Sequence, residues 1–223
     1  MTRIKDRRKA LELRKLGKSY SQIKKELGIS KSTLSDWLRE YPLSKEQIDS
    51  LRGKNPRRIE KYRETMRRKH QTRLNKYYTE EKSKWLPLSK RELFIAGLFL
   101  YWGEGGKSLN GQLIINNTDP KLIKFMLHWL TNVIFVPKNK IKVCVHLYID
   151  MEIQTEINYW VKELDLPLTQ FIKPYIKKSQ RTNIDHKGFG HGTCGLMVND
   201  TRLKERILMG IGAIADYYSK IVT

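Results

Sequence analysis

Ten residues from Leu93 to Trp102 carry no charge, run straight into Gly103-Glu104-Gly105, and are preceded by Ser89 and Glu92 at capping-box spacing. In that spacing the serine hydroxyl and the glutamate carboxylate satisfy each other's backbone N–H groups, so a helix begins here. The apolar run is about half the ~20 residues that a bilayer-spanning helix needs, so its apolar surface has to be covered by protein. The glycines around Glu104 lack a Cβ, which lets two backbones approach closely and lets the helix end turn into a strand.

From Gly111 onward the chain alternates between strand and helix periods. "GQLIINN" reads as a strand, Thr118-Asp119-Pro120 opens a helix, and "KIKVCVHLYI" places Ile141, Val143, Val145, Leu147 and Ile149 on one face. A helix "EIQTEINYWVKELDL", a strand "QFIKPYIK", a loop rich in Gly and His, a strand "GTCGLMVND" and a helix from Thr201 to about Tyr218 complete the chain. Phe125, Trp129, Tyr159 and Trp160 fall at core spacing on the helices. The pattern predicts an α+β domain over residues 88–223, with helices on one face of an antiparallel sheet and the other face open.

The first forty residues are of another kind. Ala10, Leu13, Leu16, Ile23, Leu27, Ile29, Leu34, Trp37 and Leu38 recur at helical spacing in three bursts, separated by Gly17 and by Gly28-Ile29. Ser30 is placed to cap the third burst. The spacing predicts a trihelical helix-turn-helix domain over residues 1–43. Leu34, Trp37 and Leu38 turn inward, which leaves Lys31, Ser32, Ser35, Asp36 and Arg39 outward, where short polar and cationic side chains reach base edges and phosphates in a major groove. A small helical bundle that binds protein is the competing reading. Twelve Lys/Arg against five acids in residues 1–43 favour DNA.

Residues 44–87 form a connector too polar to build a core, with thirteen Lys/Arg and four acids in residues 52–84. Gly53, Asn55 and Pro56 interrupt it, and a helix is expected from about Arg57 to Tyr78. Arg57, Arg58, Arg67, Arg68 and Arg73 are the expected phosphate contacts, ordered on DNA; a solvated linker is the alternative. The formal charge of +21 makes a polyanion the first partner to consider. The N-terminus lacks the apolar stretch of a secretory signal, so a cytoplasmic protein with reduced Cys144 and Cys194 is expected.

Two resemblances sharpen these expectations. "LRKLGKSYSQIKKELGISKSTLSDWL" resembles the helix-turn-helix of resolvases and transposase-associated domains. "GLFLYWGEG" resembles the LAGLIDADG motif, whose family has an αββαββα domain. That likeness implies that helices from two copies pack along a small-residue seam, here Ala96, Gly97, Leu100 and Gly103. It also implies that a saddle-shaped sheet enters the major groove, with the acid at the helix end, Glu104, near the DNA backbone as a Mg²⁺ ligand and catalytic group. Trp102 stands where the family has its first aspartate. Lys107, Lys142, His186 and Lys187 are further expected DNA contacts. A bacterial sporulation-regulator family joins the same two kinds of domain in reverse order.

The expectation is therefore a homodimeric regulator that binds double-stranded DNA and no membrane. The alternative is a Mg²⁺-dependent homing endonuclease cutting as a homodimer; a transposition accessory protein would need a nucleophilic Ser or acidic triad that the chain does not display. Glu104 has a purely structural alternative, as an acceptor at the turn. His186, His191 and Cys194, with Asp185 or Cys144, form a weak zinc-type spacing.

Overall fold

Two glycines set the path of the N-terminal helices in the computed structural model, which describes residues 4–51, 54–181 and 190–221. Helices α1 (Ile4–Lys15), α2 (Tyr20–Leu27) and α3 (Lys31–Trp37) are separated by Gly17 and Gly28, both in the left-handed region at φ 80° and 69°. Only glycine adopts that geometry without strain. Ser19 and Gln22 form a capping box at the start of α2, and Ser30 accepts from Thr33 N–H at the start of α3. Ala10, Leu13, Tyr20, Ile23, Ile29, Leu34 and Leu38 make the core of this bundle. Leu16, expected inside, is 75% exposed because it falls after α1 has ended.

A short α4 (Lys45–Ser50) leads into α5 (Lys54–Trp85), longer at both ends than its sequence predicts. Pro56 falls in the first turn, where its missing N–H costs no helical bond, and a buried anchor ties the start of α5 to α1. Arg14 on α1 and Glu60 on α5 form a bidentate pair at 3.3 and 3.0 Å, each side chain at most 2% exposed. Arg14 also donates to the carbonyls of Tyr41 and Lys18, and the Arg63 guanidinium lies 3.7 Å from the Tyr20 ring centroid. The first turns of α5 thus wall the helix bundle, and residues 1–86 form one compact unit. Beyond residue 67 the helix is exposed on every side.

The second unit, residues 87–223, contains α6 (Lys90–Glu104), β1 (Leu113–Asn117), α7 (Pro120–His128), β2 (Ile141–Tyr148), α8 (Ile153–Leu164), β3 (Tyr175–Lys177), β4 (Thr193–Val198) and α9 (Thr201–Ser219). The αββαββα order is not what forms, since α7 separates β1 from β2. The strands lie in the order β1-β4-β2-β3, antiparallel except for the β2–β3 pair. A parallel pair needs a crossover, and α8 supplies it. The sheet is therefore mixed rather than antiparallel.

Alternation decides its faces. Ile141, Val143, Val145 and Leu147 are at most 1% exposed and join Trp129, Trp160 and the inward residues of β1 and β4 in one core; Ile149 lies past the strand and is 61% exposed. On the opposite face Ile114, Asn116, Lys142, Cys144, His146 and Tyr148 remain exposed or half-exposed. No described helix is long and apolar enough to cross a membrane.

Candidate nucleic-acid interface

The leading turn of α3 is built to present polar atoms. Leu34 and Leu38, 0% exposed, hold the helix from below, and Trp37 packs at the edge of the same cluster. Lys31, Ser32, Asp36 and Arg39 face solvent and Ser35 is half-buried. The Ser30 hydroxyl lies within 2.9 Å of those of Ser32 and Thr33, a small network at the positive end of the helix. Arg39 is paired with Asp36 at 3.0 Å, both well exposed. Such a pair is worth about 0–1 kcal/mol, so the arginine is free to exchange its partner for a phosphate.

On α5 the expected contacts divide. Arg57 donates Nε–H to the Leu51 carbonyl and closes the end of α4, a structural bond that its position beside a proline did not reveal. Arg58, Arg68 and Arg73 are exposed, Arg67 is half-buried, and Arg68, Lys69, Thr72, Arg73, Lys76 and Tyr77 line one shallow groove.

The second unit answers why glycines surround Glu104. Gly105 lies under the Tyr101 ring, where a Cβ would come within 2.5 Å of it, and bridges to Ile115 of β1. The Tyr101 hydroxyl donates to the Gly106 carbonyl. Glu104 is exposed and accepts from Asn117 Nδ2 at 3.1 Å. Lys107 folds back to donate to the carbonyls of Gly103 and Gly105, neutralising the negative end of α6. Lys142 stands on the open sheet face with Met197 as its register partner. The four described strands carry no carboxylate.

The seam expected on α6 needs correction. Gly97 is buried, and the space its Cβ would take is occupied by the Trp129 indole of the same chain; Leu100 packs against the domain core. The outward stripe is instead Ile95, Phe99 and Trp102, 36–45% exposed at i, i+4 and i+7. Gly103 is exposed and Ala96 half-exposed beside it, and a Cβ on Gly103 would meet nothing within 4 Å. Sequence reasoning missed this stripe because an all-apolar helix carries no marker of which side faces out.

His186, Lys187 and Asp185 lie outside the described residues. His191 Nδ1 is 2.7 Å from Glu156 Oε2, its ring stacks on Tyr159, and its carbonyl accepts from Trp160 Nε1. Cys194 is fully buried, and burial pushes its thiol far above the usual range. Among the described residues no three His, Cys, Asp or Glu side chains gather to hold a metal. Glu104 offers one exposed carboxylate at the end of α6, and Mg²⁺ at a phosphate-cleaving site is held by one or two carboxylates together with waters and substrate phosphates.

Comparison with curated proteins and with solved structures gives no match. Against family models, residues 1–52 match the one described as a homeodomain-like domain, an architecture that points to double-stranded DNA.

Proposed function

We propose that the chain is a sequence-specific double-stranded DNA-binding regulator. The observation that carries this is the capped third helix of a homeodomain-like domain, with Leu34 and Leu38 buried and Lys31, Ser32 and Arg39 turned outward. In this reading α3 enters a major groove and Lys31, Ser32, Ser35 and Arg39 touch bases or phosphates. Arg58, Arg67, Arg68 and Arg73 on α5 then neutralise backbone charge without reading sequence. The LAGLIDADG-like part of the reading is supported by a helix that ends in Gly-Glu-Gly beside a sheet with one open face, whose described strands carry no carboxylate. Its element order departs from that family.

Selection of duplexes from a random pool, followed by anisotropy titration, tests the reading. Arg39→Ala is expected to weaken the selected site about 5- to 100-fold, the range for a lost base or phosphate contact. Log affinity should fall with log salt at a slope of about −0.9 per neutralised phosphate. Equal affinity for all sequences, or no binding, would reject specific recognition. Cleavage of the selected duplex in Mg²⁺, abolished by Glu104→Gln, would replace the regulator with an endonuclease.

Pairing of two copies belongs to the same proposal. The stripe Ile95-Phe99-Trp102 is apolar, and its two rings Phe99 and Trp102 stand 5.7 Å apart on the surface. A second copy laid on it would bury both. Sedimentation should show a dimer that Phe99→Glu dissociates, because burying an unpaired carboxylate costs several kcal/mol. A wild-type monomer at high concentration would remove pairing from the proposal.

A further inference from the structure

Phe135 is the least expected residue in the second unit. The chain leaves α7 through a π-helical turn, Trp129–Val133, and then places Phe135 at φ 62°. A bulky side chain in that left-handed region is strained and persists only where neighbours impose it. They do so here: Ile134 N–H donates to the Trp129 carbonyl, Val136 N–H donates to the Leu130 carbonyl at 2.8 Å, and Val136 is 8% exposed. What the strain achieves is exposure. Phe135 is held 75% in solvent, uncovered by the described residues around it.

The phenyl stands between two clefts, of about 650 and 580 Å³. The first is lined by Lys140, Lys142 and Met197, and its one carboxylate, Asp200, is already committed to the Leu203 N–H at the start of α9. Lys140 has no ion-pair partner among the described residues, and Lys142 reaches only the Thr169 carbonyl at 3.5 Å. The second cleft holds Lys124 and Lys138, paired with Glu163 and Asp165. Free positive charge is thus on the sheet side of the ring.

An apolar plane projecting beside unpaired lysines matches a duplex: stacked bases offer a flat apolar slot, and phosphates flank it. Apolar wedges of this kind partly unstack a base step and kink the helix axis. We infer that Phe135 is a wedge that inserts at a base step of double-stranded DNA while Lys140 and Lys142 neutralise the adjacent phosphates. The site would make the second unit a bender of the DNA. It rests on the proposal that the chain binds duplex DNA.

The test uses the full chain and a mixed-sequence duplex at low salt, with a dye at each end and a fluorescent adenine analogue within. Wild-type binding should shorten the end-to-end distance and brighten the analogue as it unstacks. Phe135→Gly is the decisive variant, since glycine accepts the local backbone and the fold should be as stable as before, checked by thermal unfolding. It should leave the duplex straight and dark and weaken binding about 5- to 100-fold, the worth of one lost stacking contact. Phe135→Trp should restore both signals. Lys140→Gln with Lys142→Gln should make the salt slope shallower by about two.

A Phe135→Gly protein that bends and brightens the duplex as the wild type does overturns the inference and leaves the DNA-binding reading standing. So does a wild type that binds but leaves the duplex straight. A wild type that binds no duplex at all overturns both.

Discussion

Glu60→Ala is expected to unfold the DNA-binding unit under conditions where the wild type is fully folded. Arg14 is 2% exposed, and its guanidinium rests on two backbone carbonyls and the Glu60 carboxylate. Removing the carboxylate leaves a full positive charge buried with neutral acceptors only. Breaking a buried pair from one side costs about 3–5 kcal/mol, a large share of the ~5–15 kcal/mol that stabilises a domain. Amide exchange across α1, α2 and α3 should quicken on the order of a hundredfold or more, and the first thermal transition should fall by more than about 10 °C. Arg14→Leu with Glu60→Leu should recover most of the loss, because an apolar pair replaces an ion pair at little cost. Normal exchange protection in Glu60→Ala would mean that α5 is not a wall of this unit.

That pair also marks where reading the sequence stops. The helix-turn-helix was legible because its signals are local: Gly17 and Gly28 stop helices, Ser30 starts one, and Leu34 and Leu38 share one face. Most elements of the second unit were legible for the same reason, though the strand expected over residues 170–177 shortens to Tyr175–Lys177. Glu60 was not, since one of four acids among thirteen basic residues gives no hint of a partner 46 positions earlier. The register of β3 beside β2 was hidden too, because pairing depends on where α8 lands the chain. Phe135 sits in the apolar run "VIFVP", where nothing in the local sequence marks it as exposed, and only its backbone geometry turns it outward.

The two glycines on α6 should respond in opposite ways. Gly97→Ala would drive a Cβ into Nε1 and Cε2 of Trp129, far inside the separation that any side chain tolerates. The indole cannot retreat: it is 0% exposed, and its N–H donates to the Phe94 carbonyl one turn earlier on the same helix as Gly97. Overpacking costs about 1–3 kcal/mol, and stranding the indole N–H adds about 1–3 more. The second unit should therefore melt at a lower temperature by a margin independent of protein concentration. Trp129→Phe, which removes the offending edge of the ring, should return part of that loss in the double variant. Gly103→Ala meets no atom within 4 Å and gains helix propensity worth about 0.5–1 kcal/mol, so the monomer should be unharmed or firmer. If two copies do meet along Ile95, Phe99 and Trp102, that same methyl lies beside the contact and acts only on the sedimentation profile. Equal melting of wild type and Gly97→Ala would show that the indole does not lie across the helix at this point, and the outward face of α6 would have to be assigned afresh.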